Sequence, residues 1–171
     1  MALIVEDGTQ KSDAESYASV ADADAHFTGR TGDVEWAAAA DNAAKERGLR
    51  DATDYLEERY NTRWLGVKAS KDQALAWPRS YIQTADGYTI GSDEIPEKLK
   101  RACMEMAMRA LTEDILPDIT AGTGDVISES SSVGSLSKST TYSGGQSTLT
   151  GYRVVDLLVR EYTMGQTIQR A

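Results

Sequence analysis

Two prolines, Pro96 and Pro117, enclose a segment whose apolar side chains recur with the period of an α-helix. Proline fits the first turn of a helix and ends a helix that reaches it from the N-terminal side. The apolar stripe consists of Ile95, Leu99, Ala102, Cys103, Met106, Ala110, Leu111 and Ile115. Because a helix with one wide apolar face buries that face against other elements, the sequence predicts the central helix of a bundle.

Two further helices are predicted on the N-terminal side. Ser19 followed by Asp22 is a variant of the capping box, and the apolar period after it stops at Gly29, so a short helix is expected there. From Val34 to Tyr60, alanines and an apolar stripe predict one long helix. Gly48 lies inside that stripe and marks a candidate break, because glycine disfavours helix interiors.

Residues 61–92 show no helical period and are rich in aromatic residues and glycine. Asp86-Gly87 is a turn signal with β-forming residues on either side, which predicts a small hairpin. Two tryptophans in this segment, Trp64 and Trp77, are expected to anchor the irregular loop on the helical core, since large aromatic rings bury much apolar surface.

Between residues 122 and 150 the chain is mostly Ser, Thr and Gly. Alternating patterns in Val126–Ser130 and in Leu136–Tyr142 predict two weak strands around Val133-Gly134-Ser135, which form a hairpin that requires a partner surface. The apolar period in Tyr152–Met164 predicts a terminal helix.

The expected fold is therefore mainly α: a small helical bundle with an irregular aromatic loop, an appended β-hairpin arm and a C-terminal helix. We expect two parts. Residues 1–117 form the helical core domain with an N-terminal arm, and residues 118–171 form the Ser/Gly-rich hairpin arm and the C-terminal helix.

Composition argues against several classes of function. The chain has one cysteine and one histidine, so disulfide frameworks and most Cys/His metal sites are excluded. No run of 18 apolar residues is available for a membrane helix. His26, Cys103 and the paired acids lack the partners of a catalytic site, so we expect no enzyme, no cofactor and no metal.

Several short stretches together resemble the head-to-tail connector (adaptor) proteins of tailed phages, a group also labelled DnaT-like single-stranded-DNA-binding proteins. Trp77-Pro78-Arg79 is the most specific of them. The stretches are Ser16-Tyr17, Ser19-Val20-Ala21-Asp22-Ala23-Asp24 with Phe27, Ala52-Thr53-Asp54-Tyr55-Leu56, Gln73-Ala74-Leu75-Ala76-Trp77-Pro78-Arg79-Ser80, Asp86-Gly87, Ile95-Pro96 and the helix from Ala102 to Leu111.

The resemblance implies a ring, commonly of twelve copies, under the portal at the capsid vertex. Its expected partners are other copies of the chain, the portal protein and the next neck or tail component, with double-stranded DNA passing through the lumen. The expected location is the capsid–tail junction of the virion, after synthesis in the host cytoplasm; no membrane partner is expected.

The resemblance and the residue pattern also suggest contact residues. Trp77-Pro78-Arg79 is either a packed turn or a place where Arg79 reaches a carboxylate of an adjacent copy. The residues expected to form subunit or portal contacts are Trp77, Pro78, Arg79, Val126, Ile127, Val133, Leu136, Tyr142, Tyr152, Arg153, Leu157, Leu158 and Tyr162.

Charge bears on the choice between the two labels. The chain has 18 basic and 27 acidic residues, a net charge of −9, and residues 1–60 hold 14 of the acids against 6 bases. Single-strand binders need a cationic groove and stacking aromatics, so the net charge favours the connector and leaves a single-stranded-DNA-binding replication accessory as the alternative. An unrelated helical scaffold is the third option.

The sequence also allows a local basic patch formed by Arg63, Lys68, Lys98, Lys100 and Arg101. The simpler interpretation of these residues is a solvated or intersubunit face.

Overall fold

The computed structural model describes residues 2–116, 126–132, 137–142 and 151–164. The helices in these residues are α1 (Val20–Phe27), α2 (Asp33–Ala37), α3 (Asn42–Tyr60), α4 (Glu97–Ala110) and α5 (Arg153–Val159), which is followed by a 3-10 turn at Arg160–Tyr162. The strands are β1 (Val67–Lys68), β2 (Arg79–Ser80), β3 (Ile82–Gln83), β4 (Thr89–Ile90), β5 (Val126–Ser132) and β6 (Ser137–Tyr142). They form three antiparallel pairs, β1–β2, β3–β4 and β5–β6. The described chain is thus mainly α, as expected.

The predicted capped helix is α1. The Ser19 side chain accepts a hydrogen bond from the Asp22 backbone N–H, and the Asp22 side chain accepts one from the Ser19 backbone, which completes a capping box. Phe27 is fully buried at the other end of the helix. The boundaries and the apolar face of this helix are confirmed.

The single long helix expected from Val34 to Tyr60 is wrong. The chain leaves helical structure between α2 and α3, where Asp41 starts a new helix because its side chain accepts a hydrogen bond from Ala44 N–H. Gly48, the candidate break, lies inside α3 and faces α4. A Cβ at that position would lie 2.9 Å from the Ala107 carbonyl oxygen, so the glycine permits close packing of the two helices.

The predicted central helix is α4, with Pro96 as its N-cap. Leu99 and Met106 are fully buried, and so is Cys103, which confirms its prediction as a small core residue. The helix ends at Ala110 rather than near Pro117, which lies outside the described residues. At this end the Thr112 hydroxyl donates to the Arg109 carbonyl at 3.0 Å and so competes with helix continuation.

The aromatic loop packs on the helices, as predicted. Trp77 is fully buried and Trp64 is 3% exposed; their rings lie edge to face with centroids 5.9 Å apart. The predicted hairpin is β3–β4, in which Gly87 has φ 85° at the turn and donates its N–H to the Thr84 carbonyl. The loop is thereby an ordered part of the helical unit.

The described chain divides into two compact units, residues 1–115 with residues 151–171, and residues 116–150. The expected division at 117 and 118 therefore differs from the observed one, because α5 packs on α4 and buries Val155 and Val159. In the second unit, β5 and β6 form the predicted hairpin, with Val126 opposite Tyr142 and Ser132 opposite Ser137. Within residues 2–116, 126–132, 137–142 and 151–164, no helix has the length and apolarity needed to cross a bilayer.

Candidate nucleic-acid interface

A groove lies between the C-terminal end of α3 and α5. Four arginines line it, Arg59, Arg63, Arg153 and Arg160, and we call it the arginine groove. Its volume is about 360 Å³. The other lining residues are Tyr60, Asp156, Leu157 and Thr163. The lining therefore carries four guanidinium groups against one carboxylate.

The end of α3 positions two of these arginines around one aromatic ring. The guanidinium carbon of Arg59 lies 5.7 Å from the centroid of the Tyr60 ring, and that of Arg63 lies 5.4 Å from the same centroid. Both distances are typical of cation–π contacts. The backbone after the helix is held in place because Met164 N–H donates to the Arg63 carbonyl at 2.7 Å and Trp64 pairs with Thr163.

Asp156 of α5 is the counter-ion of the groove. Its carboxylate accepts hydrogen bonds from Arg59 Nη2 at 3.1 and 3.2 Å, and from Arg59 Nε at 3.2 Å. The Tyr60 hydroxyl donates to the same carboxylate. Burial, and then this hydrogen bond to Asp156, raises the pKa of Tyr60 above its ordinary value, so the phenol remains a neutral donor.

The guanidinium groups of the other three arginines are more available to a ligand than that of Arg59. Within the described residues, no ion pair engages Arg63, Arg153 or Arg160, and Arg153 and Arg160 are exposed on α5 and the turn after it. Guanidinium groups bind phosphate oxygens through paired N–H donors. The groove therefore has the chemistry of a phosphate-binding surface.

The chain matches, over residues 1–171, the family described as "Putative DnaT-like ssDNA binding protein". It belongs to this DnaT-like family. The comparison with curated proteins and the comparison with solved structures found no match. The family description carries the single-stranded-DNA label of the resemblance and favours the alternative function over the connector.

The most specific motif of this DnaT-like chain is buried. Trp77 and Pro78 lie in the core, and Arg79 is 9% exposed. The Arg79 guanidinium donates to the carbonyl oxygens of Leu65 at 2.6 Å, of Gly66 at 2.8 Å and of Ala76 at 3.2 Å. These contacts are those of a packed turn, since Arg79 ties the aromatic loop together from inside.

The predicted contact residues of the C-terminal helix divide into two groups. Arg153 and Leu157 line the arginine groove, and Leu157 is 56% exposed. The others pack inward: the Tyr152 ring meets Tyr55 at 5.5 Å, Leu158 is half-buried, and the buried Tyr162 ring lies 5.5 Å from Trp77.

For the hairpin, the structure describes the backbone of β5 and β6, which contain the predicted contact residues Val126, Ile127 and Tyr142. Val133 and Leu136 lie outside the described residues.

The local basic patch expected from the sequence contributes one member, Arg63, to the arginine groove. Lys98 instead forms an ion pair with Glu161 at 2.7 Å. Arg59 and Arg160 were not expected from the sequence as candidate site residues, because neither lies in a cationic run; Arg59 follows two glutamates in the sequence. The spacing of Arg59 and Arg63, four residues apart at a helix end, is the signal that was available.

His26, the lone histidine, is satisfied within the fold. Its Nε2 lies 3.2 Å from Glu105 Oε1, and its side chain is 6% exposed. Across the described segments, no group of three His, Cys, Asp or Glu side chains is arranged to hold a metal ion.

Proposed function

We propose that this DnaT-like protein binds single-stranded DNA, with the phosphates of the strand in the arginine groove, and acts by binding without turnover. The observation that carries the proposal is the concentration of four arginines around one carboxylate in a chain of net charge −9. The family description supports the same function.

The net charge of the whole chain, −9, argues against binding of a nucleic acid. Binding to a phosphate backbone depends on the cations that contact it, because each neutralised phosphate releases condensed counterions. The 14 acids of residues 1–60 outnumber 6 bases, whereas the arginine groove gathers cations from two distant parts of the sequence. An acidic remainder repels a wide duplex more than a thin, flexible single strand, so the groove favours unpaired DNA.

A salt titration tests this proposal. Filter binding of a labelled oligo(dT) should show affinity that falls with salt, with a slope of log K against log salt of about −2 if three arginines each contact a phosphate of a single strand. A duplex of the same length should bind more weakly. Failure of the oligonucleotide to bind at low salt would exclude the proposed function.

A second candidate is the connector function, supported by exposed apolar side chains on and after α5. Val154, Leu157 and Met164 are 46%, 56% and 53% exposed, although α5 also buries an apolar face. Val154 and Leu157 are three residues apart on α5 and so lie on one side of it, and exposed apolar side chains that lie together are typical of protein contacts. On this proposal the chain forms a ring, of twelve copies by resemblance, between a portal and a neck component at the capsid–tail junction of a virion, around the double-stranded genome.

The connector proposal has its own test. Light scattering of the purified protein, alone and mixed with a portal protein, should give masses of a ring and of a ring on the portal. Leu157→Glu should reduce both, because a carboxylate replaces an exposed apolar contact. A monomer that remains a monomer in the presence of portal would contradict this candidate and leave the arginine groove unaffected.

A further inference from the structure

Two tyrosines on the aromatic loop point into solvent. Tyr81 is 87% exposed and Tyr88 is 74% exposed. Tyr81 also has φ 64°, in the left-handed region that residues with a side chain rarely adopt. Within the described residues, neither phenol makes a hydrogen bond or ring contact. An unfavourable backbone conformation that presents an unpartnered aromatic ring is typical of a functional position.

The β3–β4 hairpin explains how the rings are presented. Ile82 pairs with Ile90, and both are buried, so this pair fixes the hairpin on the core. Thr84 N–H donates to the Tyr88 carbonyl at 2.8 Å and closes the turn around Gly87. The backbone at both tyrosines is therefore held, while their rings remain free to receive a ligand.

Separate backbone pairings connect the arginine groove to the segment that precedes Tyr81. Thr163, which lines the groove, pairs with Trp64, and Val67 pairs with Ser80. Between them, a Cβ on Gly66 would lie 2.2 Å from the Ser80 carbonyl oxygen, so the two chain segments are in close contact.

The charge around the tyrosines also suits nucleic acid. Residues 61–92 hold four basic and two acidic residues, in contrast to the acidic N-terminal part. Of the basic residues Arg79 is buried, and of the acids Asp86 lies in the same hairpin as Tyr88. Lys68 is exposed on β1 and Lys71 is exposed shortly after it. Within the described residues, no ion pair engages either lysine.

We propose that Tyr81 and Tyr88 are the base-stacking platform for the strand whose phosphates bind in the arginine groove. This inference rests on the proposed function and deepens it, since it assigns the bases to the exposed tyrosines and the phosphates to the arginine groove. Stacking on an aromatic ring tolerates every base, because each base has a π face. The expected ligand is therefore single-stranded DNA of mixed sequence.

The test compares Tyr81→Ala, Tyr88→Ala and the matching phenylalanine variants in oligo(dT) binding at several salt concentrations. Each alanine variant should lose about tenfold in affinity at every salt concentration, with an unchanged salt slope, because stacking is not an ionic contact. The phenylalanine variants should bind like the wild type. Val34→Ala, at another exposed apolar residue, is the matched control and should bind normally.

Folding is checked separately by thermal unfolding. Tyr81→Gly should fold at least as well as the wild type, since glycine accepts a positive φ, yet should lose the same affinity. Alanine and glycine variants that bind oligo(dT) as tightly as the wild type would overturn the stacking platform, while wild-type binding would still support the groove. If the wild type does not bind, the proposed function itself has failed.

Discussion

The Arg59 guanidinium and the Asp156 carboxylate join α3 to α5 through three hydrogen bonds of 3.1 to 3.2 Å. The same carboxylate accepts a hydrogen bond from the Tyr60 hydroxyl. Asp156 thus fixes the distance between the two helices that form the arginine groove, and it holds one of the four arginines away from other anions. On the proposed function, it occupies part of the site that a phosphate would use.

Asp156→Asn should therefore tighten binding of single-stranded DNA. The change removes the one negative charge of the groove and frees Arg59, so oligo(dT) affinity is expected to rise severalfold at low salt. Stability should fall by about 1 kcal/mol, since the ion pair is partly exposed and such pairs are weak. Filter binding and urea unfolding measure the two effects. Weaker oligonucleotide binding would show that Asp156 orients the arginines rather than competing with the strand.

Gly48→Ala tests the close approach of α3 and α4. Alanine is the better helix former by about 1 kcal/mol, so local propensity alone predicts stabilisation. The added Cβ would lie 2.9 Å from the Ala107 carbonyl oxygen, a backbone atom that cannot turn aside, so we expect net destabilisation of about 1–3 kcal/mol. Urea unfolding gives the sign directly. A more stable variant would mean that the helices separate easily.

The elements that could be predicted from the sequence are those set by local signals. The α1 capping box, the apolar face of α4 and the Asp86-Gly87 turn each depend on residues close in the chain. The break before α3 could not be recognised in the same way, because the alanines at 38–40 favour helix and the interruption depends on the Asp41 cap.

The arginine groove could be recognised only in the folded chain, because its residues come from two distant parts of the sequence. Arg59 and Arg153 are 94 positions apart in the sequence, and they line one groove because α5 packs on α4 and its Asp156 bonds Arg59 of α3. The net charge of the sequence does not show where α5 packs or which arginines it brings together. The exposed tyrosines likewise looked like ordinary members of an aromatic loop, since the φ of Tyr81 has no signature in the sequence.

Ser19→Ala tests the capping box. The pH dependence of its effect separates the contribution of the Ser19 hydroxyl from that of the Asp22 carboxylate. The hydrogen bond from the Ser19 hydroxyl is the main cause that lowers the pKa of Asp22 below its ordinary 3.8. A lowered folded pKa contributes stability that is present above pH 3.8 and lost as the pH falls through the folded value. The variant should lose about 1 kcal/mol near neutral pH, and less in acid. Urea unfolding across this pH range measures the loss of stability. An equal loss at every pH would contradict a contribution of the Asp22 carboxylate to the cap.

Glu57→Gln tests a buried carboxyl group that holds the aromatic loop. Glu57 accepts hydrogen bonds from the Tyr17 hydroxyl and from Ala76 N–H, the latter at 2.9 Å. Burial raises the pKa of Glu57 above its ordinary 4.5. The folded state therefore keeps a proton that the unfolded chain releases, so this group's contribution to stability falls as the pH rises above 4.5.

The wild type should consequently lose stability relative to Glu57→Gln as the pH increases from 4.5 towards neutrality. The glutamine variant should still be the less stable protein at pH 4.5, because an amide offers one acceptor oxygen to two donors. Urea unfolding at closely spaced pH values measures both effects. Parallel pH profiles for the two proteins would contradict the raised pKa.

The most direct measurement is the salt dependence of oligo(dT) binding by the wild type, by the double variant Arg63→Gln with Arg160→Gln, and by Arg47→Gln, an exposed arginine outside the groove. The two groove substitutions should make the slope of log K against log salt shallower by about 1.4, while Arg47→Gln should leave the slope near its wild-type value. A double variant with the wild-type slope and affinity would contradict DNA binding by the arginine groove.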